Sequence, residues 1–311
     1  MQTTEVVFQV GEPVEHRGIV VAPLFPCRDP RARYLTLEEA VPRGLKIKEV
    51  GASGSVPELV VINPLSEKVL LYDGEELVGA KQNRILNVTV LVAIGSELRI
   101  PVSCVEQGRW HSVGDSFAPA SHAAHPELRR RKAESLRAEP LARGVSQGEV
   151  WDEVREKNLR MRVSSPTGAS ADAYRRWEEP LVLLERAFPL QPGQSGAVLA
   201  LGDSMCLDYV SRPDAFERLY PRLLRGYMLD ALERLDRARG NGVGAFVNEV
   251  ASAQRTRGPS AGLGEDLRLE AANVVGSGLE LDGELLQLSA FSSARESRSF
   301  GRIARPSRRQ V

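Results

Sequence analysis

The sequence predicts an α+β fold: an all-β N-terminal part of sandwich or open-barrel type, a central helical segment, and a C-terminal antiparallel sheet with helices. Three observations carry that expectation. Up to residue 111, roughly six or seven short apolar runs are punctuated by Pro and Gly, the spacing of a sandwich or barrel. From 112 to 179 the apolar residues recur at helical spacing. From 180 to 291, runs of strand character flank an amphipathic helix, and 292–311 is a basic tail.

The first strands are expected around Val6-Val7-Phe8, Ile19 to Ala22 and Leu59 to Ile62, between breaks at Pro13, Pro23, Pro26, Pro42 and Pro57. Leu35 to Ala40 reads as a brief helical turn with Thr36 as N-cap. The stretch Lys68–Trp110 is the most explicit. Asp73-Gly74 separates two apolar runs, a hairpin signal because Gly accepts positive φ without steric cost. A turn at Gly95 then pairs Val92 with Leu98, Val90 with Ile100, Val88 with Val102 and Leu86 with Cys104, apolar opposite apolar. One rung further, Arg84 faces Glu106, either as a capping salt bridge or as the rim of a pocket.

Helices follow at Glu127 to Leu136 and at Gln147 to Leu159, the second with Ser146 and Glu149 as a capping box. Arg129-Arg130-Arg131-Lys132 reads as a solvated helix face. A helix from Ala171 to Ala187 is interrupted at Pro180. Gly196–Leu201 and Met205–Val210 form a hairpin about Gly202-Asp203. The helix from Pro213 to about Arg239 must kink or split at Pro221. Phe246–Ala253 is a short helix, and strands at Leu267–Glu270, Val274–Leu281 and Leu285–Phe291 end the fold, with a turn at Asp282-Gly283. The tail holds Arg295, Arg298, Arg302, Arg305, Arg308 and Arg309 against Glu296, a net +5, and is expected to be disordered.

Composition removes several classes of function. Formal net charge is zero, so no global field argues for nucleic acid or a membrane surface; only the basic tail is suited to such a tether. Three distant cysteines, Cys27, Cys104 and Cys206, give neither a zinc spacing nor a disulfide framework, as suits a reducing compartment. No run approaches the roughly 18 apolar residues of a spanning helix, and no secretory leader is read at Met1 to Phe8. A cytoplasmic protein is expected, with no cofactor and no metal.

Three motifs are set aside. Gly202-Asp203-Ser204 imitates the nucleophile block of GDSL esterases, whose serine needs a His base that in that family lies after it near the C-terminus. Here His16, His111, His122 and His125 all precede it, so the family order is broken. His111, His122 and His125 lack a spaced acidic partner and read as loop histidines. Gly262-Leu-Gly264 lacks the third glycine and the helix of a dinucleotide fingerprint. What remains is a polar constellation: Glu75, Glu76, Gln82, Asn83, Arg84, Glu106, Arg109 and Trp110. It combines carboxylates, amides, guanidinia and an indole, the groups of a nucleotide site and also of a polar sheet edge.

Gly74-Glu-Glu-Leu-Val-Gly-Ala-Lys-Gln-Asn-Arg-Ile-Leu-Asn87 and Ile100-Pro-Val-Ser-Cys-Val-Glu-Gln-Gly-Arg-Trp110 resemble the ARPP domain family, proteins associated with ADP-ribosylglycohydrolase and the rhodanese–phosphatase superfamily. Ser146 to Trp151, Ser164 to Gly168, Gly262 to Glu270 and Leu288 to Phe291 extend the likeness over nearly the whole chain apart from the tail. The resemblance implies a bacterial, intracellular protein in NAD or ADP-ribose metabolism, with ADP-ribosylglycohydrolase-pathway proteins as partners. That implication is associational. The expected function is binding of a nucleotide or ADP-ribose-type ligand: Arg84 and Arg109 on phosphate, Gln82 and Asn83 on ribose or amide, Trp110 stacking, Glu106 orienting Arg84. The alternatives are a hydrolase with Glu76 or Glu106 as general base, and an interaction scaffold with no small ligand.

Overall fold

The computed structural model describes residues 7–51, 54–112, 114–138, 145–235 and 242–293; the basic tail expected at 292–311 falls outside them from 294 onward. Frequent Pro and Gly breaks keep the early strands short. They are β1 (Phe8–Val10), β2 (Val14–His16), β3 (Ile19–Pro26), β4 (Leu35–Thr36), β5 (Lys46–Glu49), β6 (Glu58–Asn63) and β7 (Val69–Leu71). Then come β8 (Glu75–Gly79), β9 (Arg84–Leu86), β10 (Val90–Val92), β11 (Ser96–Cys104) and β12 (Phe117–Ala123). Helix α1 (Leu37–Ala40) begins at Thr36, whose side chain and Glu39 form a reciprocal capping box. Helices α2 (Pro126–Ala138), α3 (Gln147–Arg160), α4 (Ala171–Arg176) and α5 (Glu178–Glu185) follow. The chain ends with β13 (Gly196–Leu201), β14 (Ser204–Val210), α6 (Pro213–Leu232), α7 (Val243–Ser252), β15 (Gln254–Pro259), β16 (Glu265–Glu270), β17 (Val274–Leu281) and β18 (Glu284–Ser292).

The class is α+β, as the sequence predicts. Three sheets carry it: a nine-stranded sheet in the order β1-β3-β13-β14-β18-β17-β16-β15 with β2 on β3, a three-stranded sheet β10-β7-β4, and a six-stranded sheet β12-β8-β9-β11-β6-β5. Strands β1 to β3 therefore pair with the C-terminal strands, bridging the expected units 1–111 and 180–291. Helix α6 lies between the sheets, and Phe216, Leu219, Leu223, Tyr227 and Met228 join Leu199, Val275 and Phe291 of the large sheet in one apolar core. On the opposite face of that sheet, α7 buries Phe246 and Val250 against Leu207 and Leu267.

Several expectations need correction. The second hairpin has another register: Leu86 pairs with Val102 and Arg84 with Cys104, not Glu106. Between them Ser103 donates to Asn87 Oδ1 (2.8 Å), while Thr89 accepts from the Asp73 N–H (2.9 Å), so the rising strand leaves the sheet. Val90–Val92 then pairs with Val69–Leu71, and the start of β11 pairs with β6. The slip is by two residues. It keeps every side chain on its own face, so alternation cannot separate the two registers.

Helix α6 runs unbroken through Pro221. One backbone hydrogen bond is forfeited there, but Leu219, Tyr220, Leu223 and Leu224 around it are all buried. Ser146 makes no capping bond. The start of α3 is fixed instead by Gln147, whose amide accepts from the Cys104 N–H and donates to the Cys104 carbonyl, both at 2.8 Å. The basic cluster on α2 is not a solvated face. Arg129 and Lys132 are buried, whereas Arg130 and Arg131 pair with Glu127, Glu134, Glu153 and Glu156. His122 and His125 are buried too: His122 sits on β12 beside Glu76, and His125 Nδ1 lies 2.9 Å from Asp230.

Candidate functional site

Glu75 and Glu76 open β8 and point to opposite faces, as strand alternation requires. Both are buried. Glu75 accepts from the Tyr72 N–H at 2.8 Å and pairs with Arg222 of α6 at 2.8 Å. Burial pushes its carboxyl above the usual range despite that guanidinium. Glu76 lies 3.0 Å from His122 Nε2 and accepts from Asn83 Nδ2 at 3.4 Å; the His122 ring stacks on Tyr174 with centroids 3.7 Å apart.

From Asn83 the chain of contacts runs to Arg109, and every guanidinium nitrogen there has a partner. Nη2 donates to Asn83 Oδ1 (3.1 Å), Nη1 to the Ala80 carbonyl (2.7 Å), and Nε to Glu106 Oε2 (2.9 Å). Glu106 is equally committed. Its Oε2 also accepts from the Asn83 N–H at 3.2 Å, and its Oε1 from the Thr167 hydroxyl at 3.1 Å. Burial alone raises the Glu106 carboxyl, but the bonds from Arg109, Asn83 and Thr167 outweigh it and leave it below the usual carboxylate range. Glu106 thus orients Arg109, and not Arg84 as the hairpin register implies. Together they brace the 79–83 loop against 106–111.

Arg84 is the exception among these groups. It is 0% exposed, yet only Nη1 makes a hydrogen bond, to Gln82 Oε1 at 3.0 Å. Its Nε and Nη2 have none. The nearest carboxylate oxygen, Glu49 Oε1, stands 3.9 Å from Nη2, and Glu49 Oε2 is likewise buried with no hydrogen-bond partner. Over this group lies the Trp110 ring, 6.0 Å from the guanidinium carbon and 5.4 Å from Lys81 Nζ. Trp110 is 50% exposed, so the indole borders solvent on one side and Arg84 on the other. A buried guanidinium with two N–H-bearing nitrogens lacking hydrogen bonds, a carboxylate oxygen with an open lone pair and a half-exposed indole meet at one corner. It can donate to an oxyanion, accept from a hydroxyl and stack on a ring.

Of the sequence-predicted residues, Gln82, Arg84 and Trp110 meet at this corner, whereas Glu76, Asn83, Glu106 and Arg109 form the polar frame behind it. Glu49 and Lys81 were not singled out. Glu49 ends β5, the edge strand of the six-stranded sheet, and reaches Arg84 because that sheet curls until β12 meets β5. Alternation in Lys46-Ile-Lys-Glu49 marks a strand but not its partner across the curl.

A second polar centre escaped the sequence altogether. Asp208, in the middle of β14, is buried and accepts from Arg129 Nη1 (2.8 Å) and Nη2 (2.6 Å), Tyr72 (2.7 Å), Tyr227 (2.6 Å) and Ser289 (2.8 Å). Burial would raise its carboxyl, but the Arg129 charge and these donors hold it at about 2. Beside it Lys132 binds Asp73 at 2.7 Å. With the Cys206 thiol at 3.4 Å, six donors on two oxygens leave no position for a ligand. This centre ties α2, α6, the large sheet and the turn at Asp73 together.

Among the described residues there is no cluster of three or more His, Cys, Asp or Glu that would hold a metal ion, and no helix long and apolar enough to cross a membrane. No curated protein and no solved structure matches the chain. Residues 7–291 match the model of the ARG and Rhodanese-Phosphatase-superfamily-associated Protein domain, and the chain belongs to that family, ARPP-1.

Proposed function

We propose that this protein binds a nucleotide of the ADP-ribose type at the corner formed by Arg84, Gln82, Glu49 and Trp110. The observation that carries this reading is the guanidinium of Arg84, buried with two donor positions unused. A buried charge without hydrogen bonds is costly, and a phosphate oxygen is the group that would satisfy it. The orphaned Glu49 Oε2 would take a ribose hydroxyl, and Trp110 the base. The family name supports a setting among ARG-type and rhodanese–phosphatase-type proteins, which we take as the partners. Three free thiols, Cys27, Cys104 and Cys206, support a reducing, cytoplasmic location.

Arg109 is recast as a positioning residue, since its donors are spent on Ala80, Asn83 and Glu106. Binding is favoured over hydrolysis for a similar reason. A general base near neutrality needs a raised pKa, and Glu106 is held low. The test is thermal denaturation with ADP-ribose, NAD and inorganic phosphate in turn. At a hundredfold excess over Kd, a ligand adds about 2.7 kcal/mol, seen as a Tm rise of several degrees. ADP-ribose or NAD should give that rise and phosphate a smaller one; no rise with any of the three would remove the proposal.

A further inference from the structure

A cavity of about 610 Å³ lies on the large sheet between the β13–β14 turn, α7 and the start of α2. Its wall is apolar, from Leu199, Leu201, Met205, Phe246 and Phe291, and its charged groups are four carboxylates (Glu127, Asp203, Asp230, Glu249) against two guanidinia (Arg130, Arg234). Both arginines are engaged, and so are Glu127, by Arg130, and Asp230, by Lys157 at 2.6 Å, which leaves Asp203 and Glu249 as the carboxylates without an ion-pair partner among the described residues. Arg130 forks onto Glu127 at 2.7 Å, and Arg234 donates to the Ser204 hydroxyl. Asp203 at the rim is exposed and Glu249 partly buried. The cavity therefore offers an apolar floor inside an acidic rim.

The last described residues lie at that rim. Ser292 and Ser293 line the cavity, and the Ser292 hydroxyl bonds both to the Met205 N–H (2.8 Å) and to the Asp203 carbonyl (3.2 Å). The next residues, 294–311, hold six arginines against one glutamate, and their only large apolar side chains are Phe300, Ile303 and Val311. We propose that residues 294–311 dock back into this cavity, with arginines on Asp203 and Glu249 and Phe300 against the apolar floor. Attachment at the rim makes the step intramolecular, at an effective concentration on the order of millimolar, so individually weak contacts suffice. Rim charges are screened by salt, which gives the contact a signature. This proposal is independent of the Arg84 corner, which lies on a different sheet.

Limited trypsin digestion of the full chain tests it, with cleavage after Arg295, Arg298 and Arg302 followed by intact mass. A synthetic peptide of residues 294–311, digested beside it, corrects for the effect of salt on the protease. At low salt the attached segment should be cut roughly tenfold more slowly than the peptide, because cleavage tracks the undocked population. The protection should vanish in about 0.5 M salt, and also in the paired variant Asp203→Asn with Glu249→Gln. Cleavage at the rate of the peptide at low salt would overturn the proposal. So would protection that persists in both the variant and high salt, since the occupant would then not be held by this acidic rim.

Discussion

Two arginines in this molecule are equally buried and differently treated. Arg129 is met by both oxygens of Asp208, by Ser289 and, at 3.6 Å, by Asp73. Arg84 has one hydrogen bond, to Gln82, and a carboxylate just out of reach. The first arrangement is an ion pair bonded through both terminal nitrogens, with partners from three separate parts of the chain, so it holds the fold. The second leaves two buried N–H-bearing nitrogens without a hydrogen bond and a counter-ion held at 3.9 Å. That asymmetry is what supports the proposal of a ligand at Arg84 and a structural role for Arg129.

The comparison breaks most visibly at Arg129. Replacing it with Met leaves Asp208 buried and ionised among hydroxyls, a loss of about 3–5 kcal/mol. Urea denaturation should show it, or the variant should fail to accumulate as folded protein. Arg84→Met removes a charge whose counter-ion, Glu49, stands 3.9 Å away with no hydrogen bond between them, so the loss of stability should be smaller, under about 1.5 kcal/mol. If both variants lose stability equally, the distinction between the two centres is wrong.

Acid titration sharpens the same contrast. The Asp208 carboxyl is lowered in the folded state from 3.8 to about 2. Its contribution, about 2 kcal/mol, is complete above pH ~4 and is lost as the pH falls toward 2. Glu106, also lowered, adds in the same direction. Glu75 is raised and opposes them, its contribution being complete below its unfolded value and lost as pH rises from there through its higher folded value. Arg84→Met should leave the acid limb of the stability profile unchanged between pH 2 and 4, whereas Asp208→Asn should flatten it; denaturant midpoints across that range decide this.

Two smaller effects complete the series. Thr36→Ala removes the capping box with Glu39 and should cost about 1 kcal/mol, read from the urea midpoint. Trp110→Ala, at a half-exposed site, should change stability by less than about 1 kcal/mol. It should still weaken ADP-ribose binding about tenfold or more by calorimetry, the usual worth of a stacked base. Unchanged affinity would take the indole out of the site.

Much of the fold was legible because it is local. Asp73-Gly74, Gly202-Asp203 and Asp282-Gly283 turn the chain where the sequence says, and Thr36 caps α1. Gln254-Arg-Thr-Arg-Gly-Pro259 was missed as β15, since an edge strand without an apolar face has no alternation to show. The register of β9 on β11 was misjudged by two residues for the opposite reason, because its alternation fits both pairings. The candidate site was legible by type only. Gln82, Arg84 and Trp110 belong to one stretch, but Glu49 enters through the curl of a sheet, and Asp208 meets Arg129 across 79 residues. Such pairings are fixed by how the layers stack and not by any local pattern.

Calorimetric titration of ADP-ribose into the wild-type chain and into Arg84→Met, with urea stability of both measured alongside, tests the central claim most directly. The wild type should bind, and the variant should lose at least about tenfold in affinity while keeping its stability, the worth of a charge-assisted bond to phosphate. Binding of equal strength to a well-folded Arg84→Met protein would contradict the account.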